Sequence, residues 1–248
     1  MTRPEGWPTP FVVFFEGRSG STYLVESLHD QPDIYAEKEF LAELRSKNKG
    51  PRDQLAWVRD YFTPLEGDRY RAIGFKAKLQ DVLDPAGLAE VLAEFDTRVV
   101  LLQRRNRIKL VVSLFNAMRL NDATGEWNLY DAGNRSPAFR IDVGSFWEWL
   151  EKIEGANHGL RDYVDGLGLP VLRVDYEDLL VNEREAMSAV CRFLGVAYDP
   201  SRSGKCLKNT SDDLSRVVLN LDELQAAFAG TRYERMFGEV LVRSPDDA

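Results

Sequence analysis

The sequence predicts an α/β fold with a parallel central sheet flanked by helices, and three observations predict it. Short apolar runs alternate with longer amphipathic stretches, the pattern of repeated strand–helix units. The first such run passes straight into a Gly-rich turn and then a helix. The 248 residues, 44% hydrophobic and 29% charged, match the core of one large α/β domain, so residues 1–248 are read as a single domain.

The elements follow in chain order. Phe11 to Phe15 is a continuous apolar run, read as a buried strand, and Ser21 to Asp30 is the helix after it. Ala72 to Lys76 and Arg98 to Leu102 are two further strands, the latter followed by a helix over Ile108 to Leu120. Phe146, Trp149, Leu150 and Ile153 fall at helical spacing and read as core. Val171 to Val174 is a fourth strand, and Glu183 to Leu194 a helix that stops at Gly195. Asn121 to Asp142 (with Gly125, Gly133 and Pro137) and Asp199 to Asp213 (with Pro200, Gly204, Lys205 and Lys208) are irregular and polar; both read as loops over a site.

Composition narrows the function. The net charge of −8 and pI near 5.0 disfavour a bulk nucleic-acid binder, and no nucleic-acid partner is expected. Cys191 and Cys206 have no nearby His or Cys that would complete a metal site, and they read as reduced thiols. The first apolar run is too short for a signal-peptide core or a membrane span. Behind a polar, proline-rich Met1–Pro10, it implies a cytoplasmic protein without stable membrane insertion.

The chemistry is concentrated in two segments. Glu16-Gly-Arg-Ser-Gly-Ser-Thr-Tyr23 joins a strand to a helix, so backbone N–H groups and the helix dipole converge on an anion, and Arg18 adds a full charge. The segment makes the fold P-loop-type, but it is no Walker A loop: Ser21 stands where the lysine belongs and Phe15 where the first glycine belongs. The second segment, Gln103-Arg-Arg-Asn-Arg-Ile-Lys109, puts Arg104, Arg105, Arg107 and Lys109 at the start of a helix, where cations oppose the dipole. A bound anion gives them a reason, and Arg105 with Ser113 on the same helix could clamp a second phosphate.

R-S-G-S-T after the first strand and R-N-x₆-S after a later one resemble the PAPS-dependent sulfotransferases (PAPS is 3′-phosphoadenosine-5′-phosphosulfate). Val174-Asp-Tyr-Glu-Asp-Leu179 and Phe193-Leu-Gly195 are similar to two more segments of that family. Lys208-Asn-Thr-Ser-Asp-Asp-Leu214, Val218-Leu-Asn220 and Glu223-Leu224 resemble its bacterial carbohydrate branch, which includes the nodulation-factor and trehalose sulfotransferases.

The resemblance implies that Arg18, Ser19, Gly20, Ser21, Thr22 and Tyr23 hold the 5′-phosphosulfate. It implies that Arg105 and Ser113 hold the 3′-phosphate, with Lys208 added to the donor set. PAP is then the product and no metal is used. The implied acceptor is a small molecule or glycan, its hydroxyl on a sugar, glycolipid or small glycoside.

An in-line transfer needs a base for the acceptor hydroxyl and cations for the leaving phosphate. His29 and His158 are badly placed for the first task. The resemblance points to Glu39, followed by Phe40, with Glu37 as the alternative and a raised pKa expected for the base. Arg18 and Lys76, the latter in a Gly74-Phe-Lys76 pattern that recurs in the branch, complete the catalytic set. Two other readings stay open: a kinase using ATP and Mg²⁺, with Asp175 as the metal-holding acid, and a non-catalytic anion- or polysaccharide-binding module.

Overall fold

Residues 7–63, 69–202, 204 and 206–241 are described by the computed structural model. Six residues of the Met1–Pro10 leader, together with Lys205, lie outside them.

By their contacts the described residues fall into two compact units, one from residues 1–103 and 159–204, the other from 104–158 and 205–248. The first holds a five-stranded, all-parallel sheet in the order β2-β3-β1-β4-β5. Its strands are β1 (Thr9–Phe15), β2 (Ile34–Glu37), β3 (Ala72–Ala77), β4 (Arg98–Gln103) and β5 (Val171–Asp175).

β1 is buried along its whole length because both faces and both edges are covered. Its side chains alternate between two cores. Phe11, Val13 and Phe15 pack with Leu24 and Leu28 of α1 (Ser21–His29) and Val190 of α8 (Glu183–Leu194). Val12 and Phe14 pack with Val58 of α3 (Pro51–Phe62) and Val91 of α4 (Pro85–Glu94). A glycine is required in β3: a Cβ on Gly74 would lie 2.4 Å from the Phe11 carbonyl oxygen and 2.5 Å from its ring.

The predicted strands and helices are present, with different bounds. β1 starts at Thr9, whose N–H donates to the Arg71 carbonyl at 2.7 Å. β2, α2 (Phe40–Ser46), α3 and α4 are additions to the elements read from the sequence. So is α7 (Tyr176–Val181), which follows β5 directly. Gly195 ends α8 at φ 79°, in the left-handed region that glycine tolerates.

The second unit is helical. α5 (Arg107–Thr124), the first part of α6 (Val143–Gly166) and α9 (Leu221–Ala227) enclose Ile108, Val111, Phe146, Leu150, Ile153 and Phe228. Phe146, Leu150 and Ile153 are thus core, as their spacing predicts, and Trp149 packs partly buried against them. The two predicted loops are irregular, apart from the end of α5 and a short 3₁₀ turn at Ala132–Asn134. They meet in an antiparallel bridge between Leu129 and Leu207. α5 begins at Arg107 with Asn106 as its N-cap, so Arg105 lies in the turn before the helix. The expectation that Arg105 and Ser113 share one helix is corrected accordingly: the Asn106 side chain accepts from Lys109 N–H and fixes the start beyond Arg105.

Candidate active site

In an open parallel sheet, ligand sites form at the carboxyl ends of the strands, where successive connections leave in opposite directions. β1 is that strand here. The chain leaves it toward β2 and β3 on one side and reaches β4 on the other.

The loop after β1 is tightly built. Arg18 is held at φ 67° and Gly20 at φ 85°. A left-handed arginine costs on the order of 1–2 kcal/mol, a cost that accumulates at functional sites. The buried Ser19 donates its hydroxyl to the Glu16 carbonyl at 2.7 Å, closing the turn. Below the loop lies the Tyr176 ring, at the start of α7; a Cβ on Gly20 would come within 2.6 Å of it. Ser21 is buried in the first turn of α1, and Tyr23 directs its hydroxyl to Glu183 of α8.

The adjacent strand ends supply charge. Lys76 Nζ donates to Thr22 Oγ1 at 3.0 Å and stands 3.1 Å from Glu39 Oε1. The loop has no lysine of its own, and one from β3 reaches it at Thr22. Lys78 Nζ, just beyond β3, lies 2.6 Å from Glu39 Oε2. Both ammoniums sit over the Phe15 ring, 5.1 and 5.5 Å from its centroid. Glu37, the alternative base, accepts from the Tyr35 hydroxyl at 2.6 Å, and the bond pushes that phenol up to about 12.

The structure corrects the expectation of a raised Glu39 pKa. Burial pushes the carboxyl upward, but the ammoniums of Lys76 and Lys78 outweigh it and hold Glu39 below the usual glutamate value. Burial falls harder on Lys76, whose side chain is 3% exposed against 31% for Glu39. Its pKa is lowered despite the pairing.

In the second unit the basic segment is mostly buried. Arg104, Arg107 and Lys109 are covered and Arg105 is exposed. Arg107 donates to the Arg104 carbonyl and lies 3.8 Å from Glu154. Lys109 is 2.9 Å and Lys208 3.3 Å from the same oxygen of the buried Asp212, whose other oxygen accepts from Leu241 N–H. Protein carboxylates therefore account for part of the charge that the sequence left to an anion. Burial lowers the Lys208 pKa more than Asp212 raises it. Asn106, Lys109, Ser113 and Asn116 form a buried polar stripe on α5, and Asn116 donates to the Asn209 carbonyl and to Thr210 Oγ1 at 3.2 Å. Asp175, the acid of the kinase alternative, ends β5 as the N-cap of α7.

Of the predicted residues, the first unit joins Thr22, Lys76 and Glu39 in one chain of contacts beside the Arg18–Gly20 loop. Arg105, Ser113 and Lys208 belong to the second unit. Sequence reasoning missed Lys78 and Tyr176, although Tyr176 lies inside a segment already matched to the family.

No family model matches the chain. It is similar to Nodulation protein H of Rhizobium tropici, 26% identical over 239 residues and 93% of each chain. Nodulation protein H of Rhizobium meliloti is 22% identical, covering 96% of this chain and 98% of its own. Among solved structures, a sulfotransferase from Alicyclobacillus acidocaldarius superposes with a TM-score of 0.52 at 21% identity, covering 94% and 96% of the two chains; it shows the shared fold.

Proposed function

We propose that the chain is a sulfotransferase that moves the sulfuryl group of PAPS onto a hydroxyl of a sugar, glycolipid or small glycoside, a reading supported by its similarity to Nodulation protein H. The observation that carries this reading is the Thr22–Lys76–Glu39–Lys78 chain beside the left-handed Arg18 loop. It sets a carboxylate and two ammoniums against a phosphate-binding turn. Residues 1–248 act as one catalytic domain, in the cytoplasm, on small-molecule or glycan acceptors and without nucleic acid. Among the described residues, no helix is long and apolar enough to cross a membrane.

Arg18, Ser19, Gly20, Ser21, Thr22 and Tyr23 receive the phosphosulfate end of the donor, through backbone N–H groups and the guanidinium. Arg105 and Ser113 receive its 3′-phosphate and Lys208 belongs to the donor-binding set, assignments that rest on the family resemblance. Glu39 takes the acceptor's hydroxyl proton while that oxygen forms the new bond to sulfur. The bond from sulfur to the 5′-phosphate oxygen breaks, its electron pair leaving on the phosphate. A protonated Glu39 no longer neutralises Lys76, so the ammonium's charge becomes available to the leaving phosphate as charge develops there.

Labelled PAPS incubated with a panel of sugars, glycolipids and phenols tests the reading. Label should appear on a sugar hydroxyl and survive EDTA, because Lys76 and Arg18 supply the positive charge. Transfer from ATP with an absolute Mg²⁺ requirement would favour the kinase instead, and binding without turnover the module.

A further inference from the structure

We propose that Lys78 is a positioning residue of the transfer reaction: its ammonium fixes one oxygen of Glu39 while Lys76 fixes the other, leaving the carboxylate a single orientation toward the acceptor. The inference rests on the sulfotransferase reading and goes beyond it, since neither motif nor resemblance singles out Lys78.

The geometry is specific. Glu39 directly precedes α2, a helix of only seven residues, and its side chain makes no capping bond to it. Its own element therefore does not orient the carboxyl. The two lysines do, each on a different oxygen, at 3.1 Å from Lys76 and 2.6 Å from Lys78. Lys76 is bound on its other side to Thr22 and is buried, so it is committed to the loop. Lys78 has a partly exposed side chain, and its contacts to Glu39 and to the Phe15 ring hold it over the site. A carboxylate offers about four acceptor directions. Two lysines occupy two of them and leave the others for an incoming hydroxyl.

The charges around Glu39 are otherwise paired among themselves. Lys38 pairs with Glu26 of α1, Glu43 with Lys47 along α2, and Arg45 with Asp81 beyond β3. Glu37 is bonded to Tyr35. Lys76 and Lys78 are the groups whose charges lower the Glu39 pKa. Removing Lys78 takes away one of two opposing cations and leaves the burial of the carboxyl unchanged. The pKa must then rise, and Glu39 stays protonated, and useless as a base, to higher pH.

The test is a ¹³C titration of the Glu39 carboxyl, with kcat against pH, in the wild type, Lys78→Met and Lys78→Arg. Lys78→Met keeps an apolar stem over Phe15; Lys78→Gln serves if it does not fold. The carboxyl midpoint should move up by about one pH unit on loss of the charge, the acid limb of kcat should follow it, and Lys78→Arg should restore both. PAP affinity should stay within about twofold of wild type, because Lys78 touches no donor-binding residue named above. An unmoved midpoint overturns the proposal whether or not the enzyme turns over. A moved midpoint with an unmoved acid limb overturns the catalytic role of Lys78. A wild type that transfers no sulfuryl group overturns the underlying reading instead, and the titration distinguishes that failure from the others.

Discussion

At the residue scale the candidate site holds one carboxylate, Glu39, between two ammoniums, Lys76 and Lys78. Glu39→Gln keeps the size and hydrogen bonding of the side chain but cannot take a proton. It should lower kcat by about 10²–10⁴-fold, the usual worth of a positioned base, with PAP affinity nearly unchanged; single-turnover kinetics and calorimetry separate the two. Near-normal kcat in this variant, with a loss in Glu37→Gln, would move the base to Glu37. Cys191 should stay inert: burial pushes its thiol up to about 11, so at pH 8 little thiolate is present. A thiol reagent should therefore label Cys206 well before Cys191 in the native protein, and equal rates would contradict the burial. The turn at Arg18–Gly20 was legible as a Gly-rich strand-to-helix junction, whereas Glu39 was singled out by resemblance and its role is a proposal. Lys78 was not legible, because a lysine past a strand end looks like any solvated cation until its partner is known. The sign of the Glu39 shift was illegible for the same reason, being set by two residues far off along the chain.

At the scale of elements, the loop and the start of α5 carry the expected consequences. Gly20→Ala puts a Cβ into the Tyr176 ring from a left-handed backbone. It should destabilise by about 2 kcal/mol or more, from backbone strain plus overpacking. Adding Tyr176→Ala should recover part of the loss, and a denaturant double-mutant cycle measures how much; strict additivity would show that the ring does not support the loop. Arg105→Ala or Ser113→Ala should weaken binding of PAP far more than of AMP, which lacks the 3′-phosphate. Equal losses by calorimetry would show that the pair reads something else. The continuous apolar strands were legible because burial on both faces leaves a run without polar breaks. β2 was not, being four residues with only Ile34 and Ala36 buried. α3 and α4 had readable starts, Gly50-Pro51 with Asp53 donating no proton but accepting from Gly50 N–H at 2.8 Å, and Asp84-Pro85 with Asp84 accepting from Gly87 N–H at 2.9 Å. In α3 the buried Gln54, Val58 and Phe62 stand among Arg52, Asp53, Arg59 and Asp60, which hid its apolar face.

For the whole molecule, strand order was the part least open to sequence reading. Each strand can be recognised from its own residues, but β1's neighbours are fixed by pairings such as Thr9 with Ala72 and Phe11 with Arg98, which no local pattern encodes. That arrangement also governs how the chain must be made. The ribosome releases the most apolar strand first, while both its partners are still unsynthesised, and the outer strand β5 emerges far later still. Until β3 has been made Phe11–Phe15 has no sheet to join, and such long-range parallel pairing is slow to form and prone to aggregation. Nascent chains truncated before β3 should therefore be captured by chaperones or precipitate, and those extended past β5 should become protease-resistant. Stalling the ribosome at successive lengths would place the step at the codons where β5 completes the sheet beside β4.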